Sequence, residues 1–99
     1  MKYAIDYIKS AKTDVSEIQS NLSQYYPSTP LKFLKALKKN IEILSENPLM
    51  YPVYEWNQSY RKMPMRDYLV FYKVLEETKT IEIHRVLYAK RNIKDFHSN

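Results

Sequence analysis

The stretch Tyr68-Leu69-Val70-Phe71-Tyr72-Lys73-Val74-Leu75 decides how this chain folds. Seven of its eight residues are apolar or aromatic, the pattern of a central strand with both faces covered. After a turn at Glu76–Lys79, apolar and polar residues alternate over Thr80–Tyr88, so we expect a second strand paired with the first. The alternation assigns two sets of side chains to opposite faces: Ile81, Ile83, Arg85 and Leu87 on one, and Glu82, His84, Val86 and Tyr88 on the other.

Two further strands are predicted upstream of this hairpin. Ser59–Met63 is short and basic, and a turn at Pro64–Asp67 joins it to the central strand. Tyr3–Ile8 combines aromatic and β-branched residues, which favour extended backbone. The last three strands, joined by short turns, therefore form an antiparallel meander.

Between the first strand and the meander, the apolar residues repeat with helical spacing. A first helix runs from Ser10 until Pro27 ends it, and its residues on one stripe are four and three apart: Ala11, Val15, Ile18, Leu22 and Tyr25. A second helix begins at Ser28-Thr29-Pro30, with a capping hydroxyl and a proline in the first turn, and ends at Asn47-Pro48. Its stripe contains Leu34, Leu37, Ile41 and Leu44. A short terminal helix is predicted over Ala89–Phe96.

This order of elements predicts a single α+β domain over residues 1–99. An N-terminal strand precedes a helical hairpin that packs on one face of a mainly antiparallel sheet of three or four strands. A short C-terminal helix follows the sheet. The 99 residues are enough for one hydrophobic core of modest size.

The composition excludes several classes of function. The chain contains no cysteine and no glycine, so it has no thiol nucleophile, Cys-based zinc site, Walker loop or dinucleotide fingerprint. Its two histidines, His84 and His97, are too far apart for an HExxH site. We therefore expect no cofactor and no metal. The lack of glycine also predicts either no position with positive φ or positions of this kind occupied by Asn and Asp.

The positive charge is concentrated in the second part of the chain. Residues 57–99 carry nine Lys or Arg against five Asp or Glu, and all four arginines, whereas residues 1–56 are close to balance. A pI near 9.3 favours a polyanionic partner, either nucleic acid or an acidic protein. The lysines at 32, 35, 38 and 39 lie on the polar side of the second predicted helix and are interpreted as a solvated face. With neither a membrane span nor a signal-peptide core in the sequence, we expect a cytoplasmic protein that does not bind membranes.

Three segments in the second half carry a family resemblance: Tyr60-Arg61-Lys62-Met63, Asp67-Tyr68-Leu69-Val70-Phe71-Tyr72-Lys73-Val74 and Ile83-His84-Arg85-Val86-Leu87-Tyr88-Ala89-Lys90-Arg91. In this order they resemble the RelE/ParE toxin family, with its basic strand, its Y-x-V-x-Y-x-V strand and its final I-x-R-V-L-H-x-x-R segment. The first half agrees, with a helix opening near A-x-x-D-V-x-E-I and a second helix closing on L-x-x-N-P. The resemblance implies a toxin of a type II toxin–antitoxin module, neutralised by a cognate antitoxin. RelE-like members cleave mRNA in the ribosomal A site, and ParE-like members poison DNA gyrase.

The resemblance also implies site residues. A basic residue on the second strand of the RelE-like pattern is matched by Arg61, and an arginine just after the last strand is matched by Arg91. The pattern's C-terminal proton-transfer residue falls nearest His97. Its second strand lysine falls at Met63 and its mid-sheet arginine falls near Leu69, so this chain departs from the RelE-like pattern at two positions.

Metal-free RNA cleavage needs a deprotonated 2′-hydroxyl, a stabilised phosphorane and a protonated leaving oxygen. The primary hypothesis is therefore a ribosome-dependent mRNA endonuclease, in which Arg61 and Arg91 stabilise the scissile phosphate and His97 transfers a proton. The residues expected to hold RNA are Lys62, Arg66 and Lys90, with Tyr88 stacking on a base. On the inferred fold, these basic groups are expected to converge at one edge of the sheet.

Two alternatives stay open. A ParE-like inhibitor would bind gyrase without catalysis, and a degenerate toxin would survive only as a module that binds an antitoxin. Under each hypothesis the partner is a small antitoxin whose acidic or amphipathic segment covers the basic sheet edge or lies along the helical hairpin. The further targets are the ribosome and mRNA for a RelE-like toxin, and DNA gyrase for a ParE-like one.

Two polar residues of the last strand have structural alternatives. Arg85 either touches substrate or pairs with a carboxylate at the edge of the core, such as Asp14 or Glu17. His84 is expected to form a hydrogen bond on the sheet surface rather than to act as a catalyst.

Overall fold

The computed structural model describes residues 2–25 and 27–90. Six elements occur in these ranges: β1 (Ala4–Tyr7), α1 (Lys9–Leu22), α2 (Thr29–Glu46), β2 (Arg61–Met65), β3 (Tyr68–Leu75) and β4 (Thr80–Tyr88). The predicted C-terminal helix lies outside the described residues except for Ala89 and Lys90, which form a turn. In the part of the chain that is described, no helix has both the length and the apolar character needed to cross a membrane.

The four strands form one mixed sheet in the order β1-β4-β3-β2. β2 pairs with β3 and β3 with β4 in antiparallel fashion, whereas β1 lies parallel to β4. The bounds of β3 and β4 are those predicted from the sequence, while β2 begins and ends two residues later than expected. The predicted α+β class and mainly antiparallel sheet are confirmed.

The helical hairpin covers one face of this sheet because the apolar stripes of both helices point towards it. The main core joins residues of α2, such as Phe33, Leu37 and Leu44, to sheet residues such as Val70 and Ile81, all nearly inaccessible to solvent. Pro30 lies in the first turn of α2, where its missing N–H costs no helical hydrogen bond. α1 ends at Leu22, earlier than the predicted stop at Pro27.

The opposite face of the sheet carries a second, smaller core. Tyr54 packs with Phe71 and Leu87, and the rings of Tyr54 and Phe71 meet edge to face with centroids 4.9 Å apart. The segment that supplies Tyr54 also bridges to the start of β2, through an antiparallel pair between Val53 and Arg61. Residues from the loop before β2 therefore cover part of the outer edge of this strand, which would otherwise be unpaired.

A β-bulge at His84 changes which face each later residue of β4 occupies. Tyr72 lies opposite Ile83 and Phe71 lies opposite Arg85, so His84 is the extra residue on its strand. Beyond the bulge, Val86 belongs to the main core and Leu87 to the second core. The predicted strict alternation over Thr80–Tyr88 is therefore wrong after Ile83.

Beyond the end of β1, residues of α1 form hydrogen bonds with the edge of β4. The Ser10 hydroxyl donates to the His84 carbonyl at 2.7 Å, and the Asp14 carboxylate accepts the Val86 N–H at 2.9 Å. Asp14 is buried and also accepts from the Arg85 guanidinium, at 2.7 Å from Nε and 2.9 Å from Nη2. Of the two alternatives for Arg85, the structure supports the ion pair with Asp14. The Asp14 carboxylate raises the pKa of Arg85 above its usual value.

Two hairpin turns use left-handed backbone without glycine. Arg66, between β2 and β3, has φ of 55°, and Lys79, between β3 and β4, has φ of 51°. A residue with a Cβ atom pays about 1 kcal/mol or more for this conformation. The expectation that such positions would be absent or occupied by Asn and Asp is therefore wrong.

Candidate functional site

Arg61 begins β2 and is tied to the loop that precedes the strand. Its Nη1 donates to the Tyr51 carbonyl oxygen at 2.6 Å, and the residue is half-buried. The neighbouring Tyr72 is buried, and its hydroxyl donates to the Pro48 carbonyl at 3.2 Å. Burial raises the pKa of Tyr72 to about 12, although the charge of Arg61 acts in the opposite direction. One donor of the Arg61 guanidinium is thus engaged in holding the chain.

Arg61 also lines an open cleft of about 320 Å³ at this end of the sheet, together with Tyr60, Tyr72, Lys73 and Glu76. We call it the Arg61 cleft. Lys73 Nζ lies 4.8 Å from the centre of the Tyr60 ring, a cation–π distance. The two cations can attract a phosphate by charge and donate hydrogen bonds to its oxygens.

Glu76 is the carboxylate of the Arg61 cleft, and its environment makes it a weak base. The Tyr3 hydroxyl lies 2.9 and 3.0 Å from the two Glu76 carboxylate oxygens, and Lys79 Nζ lies 3.2 Å from Oε2. These hydrogen bonds lower the pKa of Glu76. Because a general base works best with a pKa near the ambient pH, Glu76 is poorly suited to abstract a proton at neutral pH.

The other predicted RNA-binding residues lie apart from the Arg61 cleft. Lys62 points to the opposite side of β2 from the buried Met63, with its Nζ 5.2 Å from the centre of the Tyr54 ring. Arg66 lies in the turn after β2, about 16 Å from Arg61 at the usual rise of a strand. The structure therefore does not bring these three cations to one point.

Tyr88 and Lys90 are near Arg66 rather than near Arg61. Tyr88 pairs with Tyr68 across the sheet, their ring centroids are 5.9 Å apart, and Tyr88 is 42% exposed. The turn that contains Lys90 is held to the β2–β3 turn, since the Ala89 N–H donates to the Asp67 carbonyl at 2.7 Å. Arg91 and His97, the other two predicted catalytic residues, lie outside the described residues.

The two departures from the RelE-like pattern occupy apolar surroundings. Met63 is 1% exposed in the main core, and Leu69 packs against the second core. A lysine at position 63 would place an ammonium group among apolar side chains, which is strongly unfavourable without a partner. These positions are therefore structural in this chain.

His84 has the structural role that the sequence suggested. Its Nε2 lies 3.0 Å from Glu82 Oε1, and its ring meets the Tyr60 ring edge to face at 5.2 Å. The pairing with Glu82 engages one of the two ring nitrogens.

Sequence reasoning missed a second basic surface. Lys32, Lys35 and Lys39 of α2 line one groove of about 500 Å³ together with Arg66. We call these four residues the basic groove. The helical spacing of the lysines is visible in the sequence, but the approach of Arg66 depends on how the β2–β3 turn packs beside α2. The interpretation of these lysines as a merely solvated face did not include the contribution of Arg66.

A helical hairpin on a four-stranded sheet is also the fold of solved type II toxins. The chain superimposes with a TM-score of 0.76 on a chain of the chromosomal ParDE system of Pseudomonas aeruginosa, at 16% identity over 90% of this chain and 98% of the other. On a chain of the RelBE2 toxin–antitoxin complex of Mycobacterium tuberculosis the TM-score is 0.70, at 20% identity over 91% of this chain and 95% of the other. On the isolated Escherichia coli RelE toxin the TM-score is 0.59, at 21% identity over 95% of this chain and 93% of the other.

Residues 5–93 match the family model of the ParE toxin of type II toxin–antitoxin systems, parDE. The match extends over most of the 99 residues, and the chain therefore belongs to the ParE toxin family. No curated protein matches the sequence.

Proposed function

We propose that this toxin inhibits DNA gyrase by binding to it and does not cleave RNA. The observation that carries the proposal is the placement of Met63 in the main core and of half-buried Leu69 against the second core, where the RelE-like pattern has basic residues. Membership of the ParE toxin family supports the same conclusion, because the resemblance to this family implies gyrase as the target of ParE-like members.

The distribution of the other charged groups also favours binding over catalysis. Arg61 donates to a backbone carbonyl, Glu76 is a poor base, and His84 pairs with Glu82. Catalysis of phosphoryl transfer requires several groups held around one phosphorus atom. Among residues 2–25 and 27–90, the predicted basic residues lie at two ends of β2 instead of around one centre.

The second candidate is the ribosome-dependent mRNA endonuclease. The Arg61 cleft favours it, because Arg61 and Lys73 line a space that a phosphate can enter. In this mechanism Arg61 and Arg91 stabilise the scissile phosphate and His97 transfers a proton. Lys62, Arg66, Lys90 and Tyr88 hold the RNA.

Two assays on the same purified protein separate the candidates. The first follows supercoiling of relaxed plasmid by gyrase, and the second maps mRNA on programmed ribosomes by primer extension. We expect loss of supercoiling with intact mRNA. Cleaved mRNA with unimpaired supercoiling would overturn the proposal in favour of the endonuclease, and Arg61→Ala should then abolish the cleavage.

We further propose that the cognate antitoxin inserts an amphipathic segment between α1 and α2. A cleft of about 330 Å³ lies there, with Val15, Leu34 and Leu37 among its apolar lining and Lys12 and Lys38 among its polar lining. An apolar anchor with acidic neighbours would complement both features. Lys12→Glu with Lys38→Glu should weaken the complex at least tenfold by calorimetry, whereas Lys9→Glu, at the start of α1, should leave affinity nearly unchanged. Equal affinities for both variants would contradict this placement.

A further inference from the structure

The basic groove carries four cations and has no carboxylate among its lining residues. Besides its four cations, it is lined by Ala36, Asn40 and Ile43. The carboxylate of α2 that forms an ion pair, Glu42, is engaged elsewhere with Lys2 at 3.4 Å. Within the described ranges, the ion pairs connect other cations and leave these four without an acidic partner.

The backbone at Arg66 adds an independent observation. The residue is exposed and adopts φ of 55°, so the chain keeps a bulky cation where glycine would be less strained. Lys79 has the same backbone conformation, but its ammonium group pairs with Glu76 and lies 5.5 Å from the centre of the Tyr3 ring. Arg66 instead lines the same groove as three lysines of α2, and like charges that share a groove repel one another unless an anion lies between them.

We propose that the basic groove binds the phosphate backbone of a nucleic-acid double helix without reading its sequence. Lys32 and Lys39 are separated by seven residues, or about 10 Å along the axis of α2. A duplex strand carries one phosphate about every 3.4 Å of axis, so the groove spans about three phosphates. The guanidinium of Arg66 supplies paired donors for phosphate oxygens, and the lysines supply mobile charge.

The lining favours nucleic acid over an acidic protein segment. No aromatic side chain lines the groove, and its apolar residues are Ala36 and Ile43. Protein partners take much of their affinity from buried apolar and aromatic anchors, which this surface does not accommodate. The apolar cleft between α1 and α2 has that character, so the two surfaces are suited to different partners. The inference does not rest on which enzyme the toxin targets.

The test measures binding of the full chain to fluorescent 20-base-pair RNA and DNA duplexes by anisotropy over a series of salt concentrations. The test variant replaces Lys32, Lys35 and Lys39 by glutamine, which removes three exposed charges and keeps helix propensity. The control variant replaces, in the same way, three exposed lysines outside the groove: Lys2, Lys9 and Lys79. Thermal melting verifies that both variants fold.

We expect the test variant to bind at least about tenfold more weakly at 0.1 M salt, with the slope of log affinity against log salt smaller by about three. The control should keep most of the wild-type slope. The duplex that binds more tightly identifies whether RNA or DNA is the source of the phosphates. Equal slopes for the two variants would overturn the proposal. So would failure of both duplexes to bind, or stronger competition by polyglutamate than by unlabelled duplex. Because no gyrase or ribosome is present, this result is independent of the test of the proposed function.

Discussion

Arg66 and Lys79 adopt the same left-handed backbone conformation at the two hairpin turns of the sheet, but their side chains face different surroundings. Lys79 has a carboxylate partner in its own turn, whereas Arg66 lines the basic groove. A local pairing thus offsets part of the backbone strain at Lys79. The ion pairs of the described residues do not include Arg66, so under the proposal a bound anion offsets part of its backbone strain.

Replacing Arg66 by glycine should therefore separate stability from binding. Arg66→Gly removes the Cβ strain, so we expect unfolding to become up to about 1 kcal/mol less favourable in urea titrations, offset in part by chain entropy. The same variant should bind duplex several-fold more weakly. Lys79→Gly is the matched control and should leave duplex binding unchanged. An Arg66→Gly protein that binds duplex as tightly as wild type would contradict the assignment of Arg66 to the groove.

Asp14 satisfies both the Arg85 guanidinium and a backbone N–H at the edge of β4. Asp14→Ala leaves these donors unpaired, and we expect a loss of about 2 kcal/mol in the free energy of unfolding. This loss is smaller than that expected for a fully buried ion pair, because a third of the Arg85 side chain is exposed and water screens the pair. Glu17→Ala, on the exposed side of α1, should cost less than about 0.5 kcal/mol. Equal effects of the two substitutions would refute the structural role of Asp14.

Tyr72 predicts a loss of stability at alkaline pH. Burial raises its pKa from an ordinary value of 10.0 to about 12, so the fold favours the neutral phenol. This contribution is complete below pH 10 and disappears as pH rises from 10 to 12, because the unfolded chain ionises first. Urea unfolding at pH 8 and pH 11 should show a smaller decline for Tyr72→Phe than for wild type. An identical decline would contradict a raised pKa of the Tyr72 phenol in the folded protein.

At the scale of the elements, the patterns with strong local signals were predicted best. Both β3 and β4 have the predicted bounds because a long apolar run and a clear alternation stand between polar turns. The bulge at His84 was not predictable from local sequence. The backbone beside it is contacted by Ser10 and Asp14, which are more than seventy residues away in sequence. The position of Arg66 beside α2 likewise depends on tertiary packing, so only the three lysines of the basic groove could be recognised from the sequence.

Met63 is buried in β2 at the position where the RelE-like pattern has its second lysine. A lysine at this position tests whether burial explains why this chain lacks that basic residue. Met63→Lys would place a charge in the main core, and we expect a loss of about 3 kcal/mol or more, or failure to fold. Pro64→Lys, at the exposed neighbouring position, should be tolerated much better. Circular dichroism melting curves of the two variants provide the comparison. A stable Met63→Lys protein would show that the site had room for the lysine.

At the scale of the whole molecule, the net charge of +5 resolves into separate surfaces with different neighbours. The Arg61 cleft lies at one end of β2, and the basic groove lies beside α2 at the other end. The apolar cleft between the helices is a third surface. A toxin that acts by binding can use such separate surfaces for target, nucleic acid and antitoxin, whereas a nuclease needs its charges around one phosphate.

The topology of a reporter plasmid after induced expression of this chain tests the central claim most directly. If the toxin inhibits gyrase, the plasmid population should shift towards relaxed topoisomers within minutes, while full-length transcripts persist on the same time scale. Unchanged plasmid topology together with cleaved transcripts would contradict the account and would assign the toxin to the mRNA endonucleases.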